Sequence, residues 1–278
     1  MVKILKKETL AQSIKLMELD APSVAKYAKA GQFVIIILNE KGERIPLTIA
    51  DFDKERGTIT IVFQEVGKTT LTLGLLNEGD EIAHINGPLG KASHIERLGN
   101  VVIIGGGVGI APIHPISRAL KEVGNNVTAI IGSRTKNLLF WEDKMRNVSH
   151  KLFVTTDDGT YGIHGFVTDP LKMIIDKERV DRVMAIGPVP MMKAISSVTK
   201  EKDIHTIISL NSLMVCGMGM CGACRVNVSQ ETRFTCFEGP EFDGAGVNFT
   251  ELSERLKTYT DEEKISLGKF KEEFDGGD

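Results

Sequence analysis

All four cysteines of this chain fall between Cys216 and Cys236, in the order Cys216-x4-Cys221-x2-Cys224-x11-Cys236, with Gly217, Gly219, Gly222 and Ala223 filling the short gaps. A disulfide framework normally staples segments that lie far apart in sequence, so this clustering points to a metal site. Four thiolates can saturate the outer positions of a [2Fe-2S] rhombus, and the x4-x2 order is one of the spacings that does so. Any four cysteines can also hold zinc tetrahedrally, and that alternative stands beside the iron-sulfur reading. Small intervening residues let the backbone turn tightly and aim N–H groups at the sulfurs. The neighbouring Met214, Met218 and Met220 are expected to wrap the site in apolar surface. Such a loop has to be carried by the rest of the fold.

The chain has 278 residues, 42% apolar and 26% charged, so it is long enough for two domains and an appendage and has the makeup of a folded protein. With 34 basic and 37 acidic side chains the net charge is −3, and no basic patch marks a nucleic-acid binder. The long uncharged runs 98–117 and 204–224 are broken by glycines and polar residues, unlike a membrane helix. Nothing near Met1 resembles an export signal, and a cytoplasmic location is expected.

Residues 2–95 read as short period-two or β-branched runs at 2–9, 13–20, 32–39, 44–52, 57–66 and 80–85. Turn residues such as Lys41-Gly42 and 77–80 separate them, as in a small antiparallel barrel. From residue 100 the pattern changes to apolar strands at 101–104, 127–131, 151–156, 183–186 and 206–210. Helical stretches at 112–122, 138–148, 166–177 and 191–201 alternate with them. That alternation is the mark of a doubly wound, five-stranded parallel α/β sheet. The expected division is 1–96 for the barrel, 97–211 for the α/β unit and 212–278 for the cysteine loop with a charged helical tail.

After the first parallel strand comes Gly105-Gly106-Gly107-Val108-Gly109-Ile110-Ala111-Pro112, and after the fourth Gly187-Pro188-Val189-Pro190. A glycine turn into a helix N-terminus at the carboxyl end of such a strand suits a pyrophosphate, although a tight turn alone would also need these residues. In the barrel, Arg44-Ile45-Pro46-Leu47-Thr48 and Gly67-Lys68-Thr69-Thr70 combine basic, hydroxyl and backbone donors that could grip phosphates; either is also a plausible strand end and turn. No nucleophile constellation for hydrolysis stands out among the six scattered histidines.

Taken in order, the barrel, the Gly-Gly-Gly-Val-Gly-Ile-Ala-Pro turn, Gly-Pro-Val-Pro-Met-Met and the four-cysteine loop resemble the ferredoxin:NADP reductase superfamily, in its branch with a C-terminal [2Fe-2S] module. The resemblance implies FAD against the barrel, at Arg44, Pro46, Leu47, Thr48, Gly67, Thr69 and Thr70. It implies NAD(H) or NADP(H) at Gly106, Gly107, Gly109, Pro112, Ser133, Arg134, Asp157, Asp158, Gly187 and Pro188, and the cluster on Cys216, Cys221, Cys224 and Cys236. Three positions depart from the relatives: Ile45 stands where they usually have the phosphate-binding Arg, Ile186 where many have Cys, and Cys216 where one group often has Asp.

Segments 132–136, 139–142, 156–162 and 238–244, with the long tail, look most like the small subunit of NADH-dependent ferredoxin:NADP oxidoreductases. That resemblance implies an electron-transfer flavoprotein subunit paired in a heterodimer with a larger flavin and [4Fe-4S] subunit, acting on ferredoxin through the complex, with no nucleic acid and no membrane involved. The alternatives are the electron-transfer subunit of dihydroorotate dehydrogenase and, from another class, a zinc-stabilised nucleotide-binding module without a redox role.

Overall fold

The structure, a computed structural model, describes residues 1–40 and 42–275. Lys41, half of the expected Lys41-Gly42 turn, and residues 276–278 of the expected tail lie outside the described residues.

The N-terminal part contains seven strands, β1 (Val2–Ala11), β2 (Ile14–Asp20), β3 (Phe33–Ile37), β4 (Ile45–Asp53), β5 (Thr58–Gln64), β6 (Glu81–Ile82) and β7 (His84–Leu89). Their order is β6-β1-β2-β5-β4-β3-β7, every pair antiparallel. The edge strands β6 and β7 are separated only by Ala83, so the chain itself links the two ends of the sheet into a nearly closed barrel. The expected single run at 80–85 is thus two strands. Alternate residues such as Ile4, Met17, Leu19, Val34, Ile36, Ile59, Ile61 and Phe63 point inward and are buried.

Two short helices decorate the barrel, α1 (Pro22–Ala25) and α2 (Lys68–Leu75). The second takes the place of the expected turn after Gly67. Its first turn is closed by Thr70, whose Oγ1 accepts from the N–H groups of Val66 and Gly67 at 3.0 and 3.1 Å.

The second sheet is built from β8 (Asn100–Gly106), β9 (Asn126–Ser133), β10 (Lys151–Thr156), β11 (Ile163–His164), β12 (Arg182–Ile186) and β13 (Thr206–Ser209), all parallel. Its helices are α3 (Ile110–Glu122), α4 (Glu142–Asn147), α5 (Thr168–Lys177) and α6 (Val189–Lys200). Continuous apolar runs such as Val101 to Ile104 are buried on both faces, as parallel strands require. The helix α4 is shorter than the expected 138–148 because the chain first makes a tight turn over Lys136–Leu138, and Trp141 then takes a left-handed backbone with φ 57°.

The hairpin β14 (Arg225–Val228) and β15 (Glu231–Phe234) follows the third cysteine and leads into α7 (Thr235–Glu238), which holds Cys236. Then β16 (Glu241–Asp243) adds antiparallel to β13, giving the order β11-β10-β9-β8-β12-β13-β16. The expected five-stranded sheet is therefore extended at both edges to seven. The chain ends in α8 (Phe249–Arg255) and α9 (Thr260–Asp275), and α9 returns to pack on α2 of the barrel.

Between the two sheets, α3 packs on β4. Here Arg118 Nη2 donates to Asp51 Oδ1 at 2.8 Å, and buried His114 lies edge-on to Trp141 with Nδ1 3.9 Å from Asp51 Oδ2. Burial pushes His114 down to about 4; the Asp51 carboxylate opposes this, while Arg118 and Lys144 reinforce it. A histidine held neutral in the fold but near 6.5 when unfolded loses stability as pH falls, since the unfolded chain then binds the extra proton. Between pH 6.5 and 4 this group is expected to cost about 2–3 kcal/mol. The difference in unfolding free energy between the native chain and His114→Gln, followed by urea titration across that range, checks it. A second test addresses the turn: a Cβ on Gly109 would lie 2.2 Å from the Ile186 carbonyl oxygen, so Gly109→Ala should destabilise the fold by about 3 kcal/mol in the same assay.

Candidate redox centre and nucleotide crevice

The cysteine loop lies directly on the barrel. Gly217 has φ 76°, and a Cβ there would come within 2.7 Å of both Ile35 and Leu89, so only glycine fits this seat. Phe33 and Ile35 of β3 bury Met214, Cys224 and Cys236, with Ile37, Leu89 and Phe234 at the margin.

The four thiols fall into two pairs. The Sγ atoms of Cys224 and Cys236 are 3.2 Å apart and buried, and Cys221 hydrogen-bonds Cys216 nearer the surface. Backbone N–H groups are aimed inward, from Met218 and Cys221 to Cys216 Sγ at 3.5 Å each and from Gly219 to Cys236 Sγ at 3.1 Å. Burial raises the Cys216 thiol, but the N–H donors of Cys221 and Met218 outweigh it and bring the group to about 6. At Cys236 burial, with the Cys224 thiol beside it, pushes the group up to about 12.

Two thiolate pairs suit a rhombus in which each iron takes two protein sulfurs, and the N–H donors suit a group with negative charge on sulfur. Among the described residues, no three His, Cys, Asp or Glu side chains converge on one point as ligands of a single ion.

Of the three methionines expected to wrap this site, only Met214 does so. Met218 is 56% and Met220 82% exposed, because the left-handed glycines Gly217 and Gly219 turn the loop crest outward. Val215 and Phe237 are likewise exposed, as is Cys221, and Phe237 lies against Gly219 of the crest.

The nucleotide candidates gather at the carboxyl edge of the second sheet. Gly106 ends β8, with Gly107 and Gly109 just beyond it; Ser133 ends β9, with Arg134 next; Asp157 and Asp158 follow β10; Gly187 and Pro188 follow β12. Because β8 lies between β9 and β12, the chain reverses winding direction at the β8–β12 crevice, where an open α/β sheet takes its ligand. The two glycine turns meet there: Ile186 pairs with Gly105, and Gly109 packs against the Ile186 carbonyl and Gly187. A Cβ on Gly107 would meet nothing within 4 Å, so this turn faces open space at the N-terminus of α3. Pro112 is buried in the first turn of that helix.

Ser133 is buried, and its Oγ donates to Thr135 O at 2.7 Å, which ties down the loop; Arg134 is exposed. Burial raises Asp157, against the pull of Arg134, and hydrogen bonds from the Thr160 hydroxyl and N–H lower Asp158.

On the barrel, Pro46, Leu47 and Thr48 are half-buried on β4, and Gly67, Thr69 and Thr70 form the start of α2. The Thr69 hydroxyl donates to Glu43, which joins the two segments. No Cβ contact would be made within 4 Å at Gly67, so the start of α2 is open to a ligand. The Nε of Arg44 donates to the Val215 carbonyl at 2.7 Å, beside Cys216. Arg225 and Arg255, which also reach the cysteine loop, were not among the residues singled out by sequence. Arg225 directly follows Cys224, which is a signal of a kind; Arg255 carries none.

Comparison with known proteins agrees with this arrangement. Residues 211–248 match the iron-sulfur cluster binding domain of dihydroorotate dehydrogenase B, and residues 103–197 match the oxidoreductase NAD-binding domain. The dihydroorotate dehydrogenase B (NAD(+)) electron transfer subunit homolog of Thermotoga maritima is 48% identical over 96% of this chain and 94% of its own length. The corresponding electron transfer subunit of Desulforamulus reducens is 32% identical over 86% of this chain and 94% of its own. Among solved structures, one from work on flavin-based electron bifurcation, the NADH-dependent reduced ferredoxin-NADP oxidoreductase, superposes with a TM-score of 0.92. It is 46% identical and covers 96% of this chain and 97% of that one. Phthalate dioxygenase reductase, at 15% identity and a TM-score of 0.59 over 88% of this chain and 95% of its own, shares the fold. No helix among the described residues is long and apolar enough to cross a membrane. With an NAD-binding unit, an iron-sulfur unit and relatives alike over nearly their whole length, the chain belongs to the family of the dihydroorotate dehydrogenase B electron transfer subunit and its homologs.

Proposed function

We propose that this chain is a cytoplasmic electron-transfer subunit that passes electrons between NAD(H), FAD and a [2Fe-2S] cluster and a larger flavin and [4Fe-4S] partner in a heterodimer, as in NADH-dependent reduced ferredoxin:NADP oxidoreductase, with ferredoxin reached through the complex. The observation that carries this reading is the seat of the cysteine loop: one side rests on the barrel, and the other leaves Cys221 exposed, with exposed Val215, Met218 and Met220 in the same loop and exposed Phe237 against Gly219. A buried inner face and an exposed apolar outer face suit a relay between a flavin within the chain and a partner outside it. The 46% identity with the bifurcating oxidoreductase, over nearly all of both chains, favours that kind of partner.

In this reading residues 1–96 hold FAD, 97–211 hold the nicotinamide nucleotide and 212–278 hold the cluster. When bound, the flavin exchanges a hydride with the nicotinamide and single electrons with the cluster, chemistry that protein side chains cannot supply. The chain's own residues bind and orient. Thr69, Thr70 and the Gly67 turn offer hydroxyl and backbone donors to the flavin phosphates, with Pro46, Leu47 and Thr48 along the same barrel face. Gly106, Gly107 and Gly109 let a pyrophosphate approach the start of α3. Gly187 and Pro188 border the crevice from β12, and Arg134, Asp157 and Asp158 flank the path toward β10. Cys216 and Cys221 would hold one iron, Cys224 and Cys236 the other.

Iron, sulfide and flavin analysis of anaerobically purified chain tests the cofactors; about two irons and one FAD per chain are expected, whereas zinc without iron, in colourless protein, overturns the reading. Cys221→Ser should keep flavin and its reduction by NADH while single-electron transfer to an external acceptor falls to background, followed by stopped-flow absorbance. A second reading follows from the names of the curated relatives: the partner is a dihydroorotate dehydrogenase catalytic subunit. Mass spectrometry of the complex isolated from the native host separates the two, because a large flavin and [4Fe-4S] subunit is expected and a dihydroorotate dehydrogenase in its place overturns the first.

A further inference from the structure

From Ser212 to Cys224 the chain carries no charged side chain, yet three arginines from three different elements converge on it. Arg44, just before β4 of the barrel, donates from Nε to the Val215 carbonyl at 2.7 Å. Arg225, at the head of β14, donates from Nη1 to the Gly222 carbonyl at 3.2 Å. Arg255, at the end of α8, donates from Nη2 to the Ala223 carbonyl at 3.0 Å. The three carbonyls are not scattered. Val215 precedes Cys216, and Gly222 and Ala223 fill the gap between Cys221 and Cys224.

Each bond holds a peptide with its carbonyl turned toward a guanidinium, while the N–H groups of Met218, Gly219 and Cys221 are turned toward the thiols. Among the described residues none of the three arginines forms a salt bridge, whereas neighbouring Arg233 is neutralised by Glu231 and Glu238. Their charge is therefore not paired with a carboxylate at contact distance. An all-thiolate cluster is anionic and gains a further negative charge when reduced, so nearby cations stabilise the reduced form more than the oxidised one.

We propose that Arg44, Arg225 and Arg255 are positioning residues that clasp the cysteine loop at three carbonyls and, through their positive charge, raise the reduction potential of the cluster bound there. The proposal rests on the functional reading above. It also gives Arg44 a different task from the flavin-phosphate contact implied by its place in the barrel motif, since its Nε is committed to the cluster loop.

Potentiometric titration followed by electron paramagnetic resonance of the full chain with FAD and iron bound tests this. Arg44→Leu, Arg225→Leu and Arg255→Leu are each expected to titrate at a lower potential than the native chain, with an altered resonance of the reduced cluster. The matching Lys variants should return the potential toward the native value because they restore the charge. Arg44→Leu should retain FAD at the native ratio. Where a Leu variant does not retain iron, the Gln variant decides, because it keeps an amide donor and loses only the charge. Its potential should also be lowered. Neutral variants that titrate with the native chain overturn the proposal, as do Lys and Leu variants displaced equally, which would mean packing and not charge. For Arg44, loss of FAD with an unchanged cluster potential returns the residue to the flavin site. Zinc in place of iron in the native chain would instead overturn the functional reading before any variant is compared.

Discussion

The approach of Gly217 to Ile35 and Leu89 determines where everything else in the cysteine loop can go. With φ 76° and no room for a Cβ, this residue lets the backbone lie flat on the barrel wall. Cys224 and Cys236 are then drawn into the apolar cluster around Phe33, while Cys216 and Cys221 are left toward solvent. The thiols differ because of that tilt. At Cys216 inward-pointing N–H groups outweigh burial, and at Cys236 burial prevails. A single missing side chain thus creates a loop with an inner and an outer face, which is what a relay needs.

The three parts of the molecule meet in pairs, and each pair has its own polar fastening. Barrel and α/β sheet are joined at Asp51, Arg118 and His114. Barrel and cysteine loop are joined by Arg44 at Val215. The segment after Cys236 is joined to the sheet by β16, and to the stretch connecting barrel and sheet by a hydrogen bond from Ser93 to Glu241. Gly31 permits that last contact, since a Cβ there would collide with Ser93 Oγ. Burial raises Glu241, partly offset by the Ser93 hydrogen bond, so this seam tolerates a carboxyl only with its hydroxyl partner in place. With every pair fastened, distances between the nucleotide crevice, the barrel face and the cysteines are set by rigid elements instead of linkers.

What was legible in the sequence followed from strong local signals. The parallel strands were visible because Val101 to Ile104 and their counterparts are continuous apolar runs that only a sheet covered on both faces can bury. The cysteine spacing was visible because ligand chemistry restricts it. The helix α2 was not, since Lys-Thr-Thr-Leu-Thr-Leu-Gly-Leu is rich in threonine and includes glycine, both weak helix formers; its first turn depends on Thr70 capping and its flank on α9, which arrives from the far end of the chain. Strand β16 has three residues and no period to detect. The contact of Arg44 with the cysteine loop was not visible either, because a hydrogen bond to a carbonyl 171 positions away leaves no local trace.

The same long-range contacts explain how so glycine-rich a loop can be ordered at all. Gly217, Gly219 and Gly222 all have positive φ, and freezing three glycines costs more backbone entropy than freezing any other residues. The loop has little hydrophobic surface to offset that cost, because Met218 and Met220 face outward. Charge-assisted hydrogen bonds are among the strongest noncovalent contacts available to a backbone carbonyl, and the three arginines place them beside the ligating cysteines. Neutral donors could also serve these carbonyls, but a guanidinium adds a positive charge that favours an anionic group beside it. Three carbonyls of the loop are thus anchored by cations from outside it, at peptides other than those whose N–H groups face the thiols, so the arginines add order to the loop without setting the direction of its inward donors.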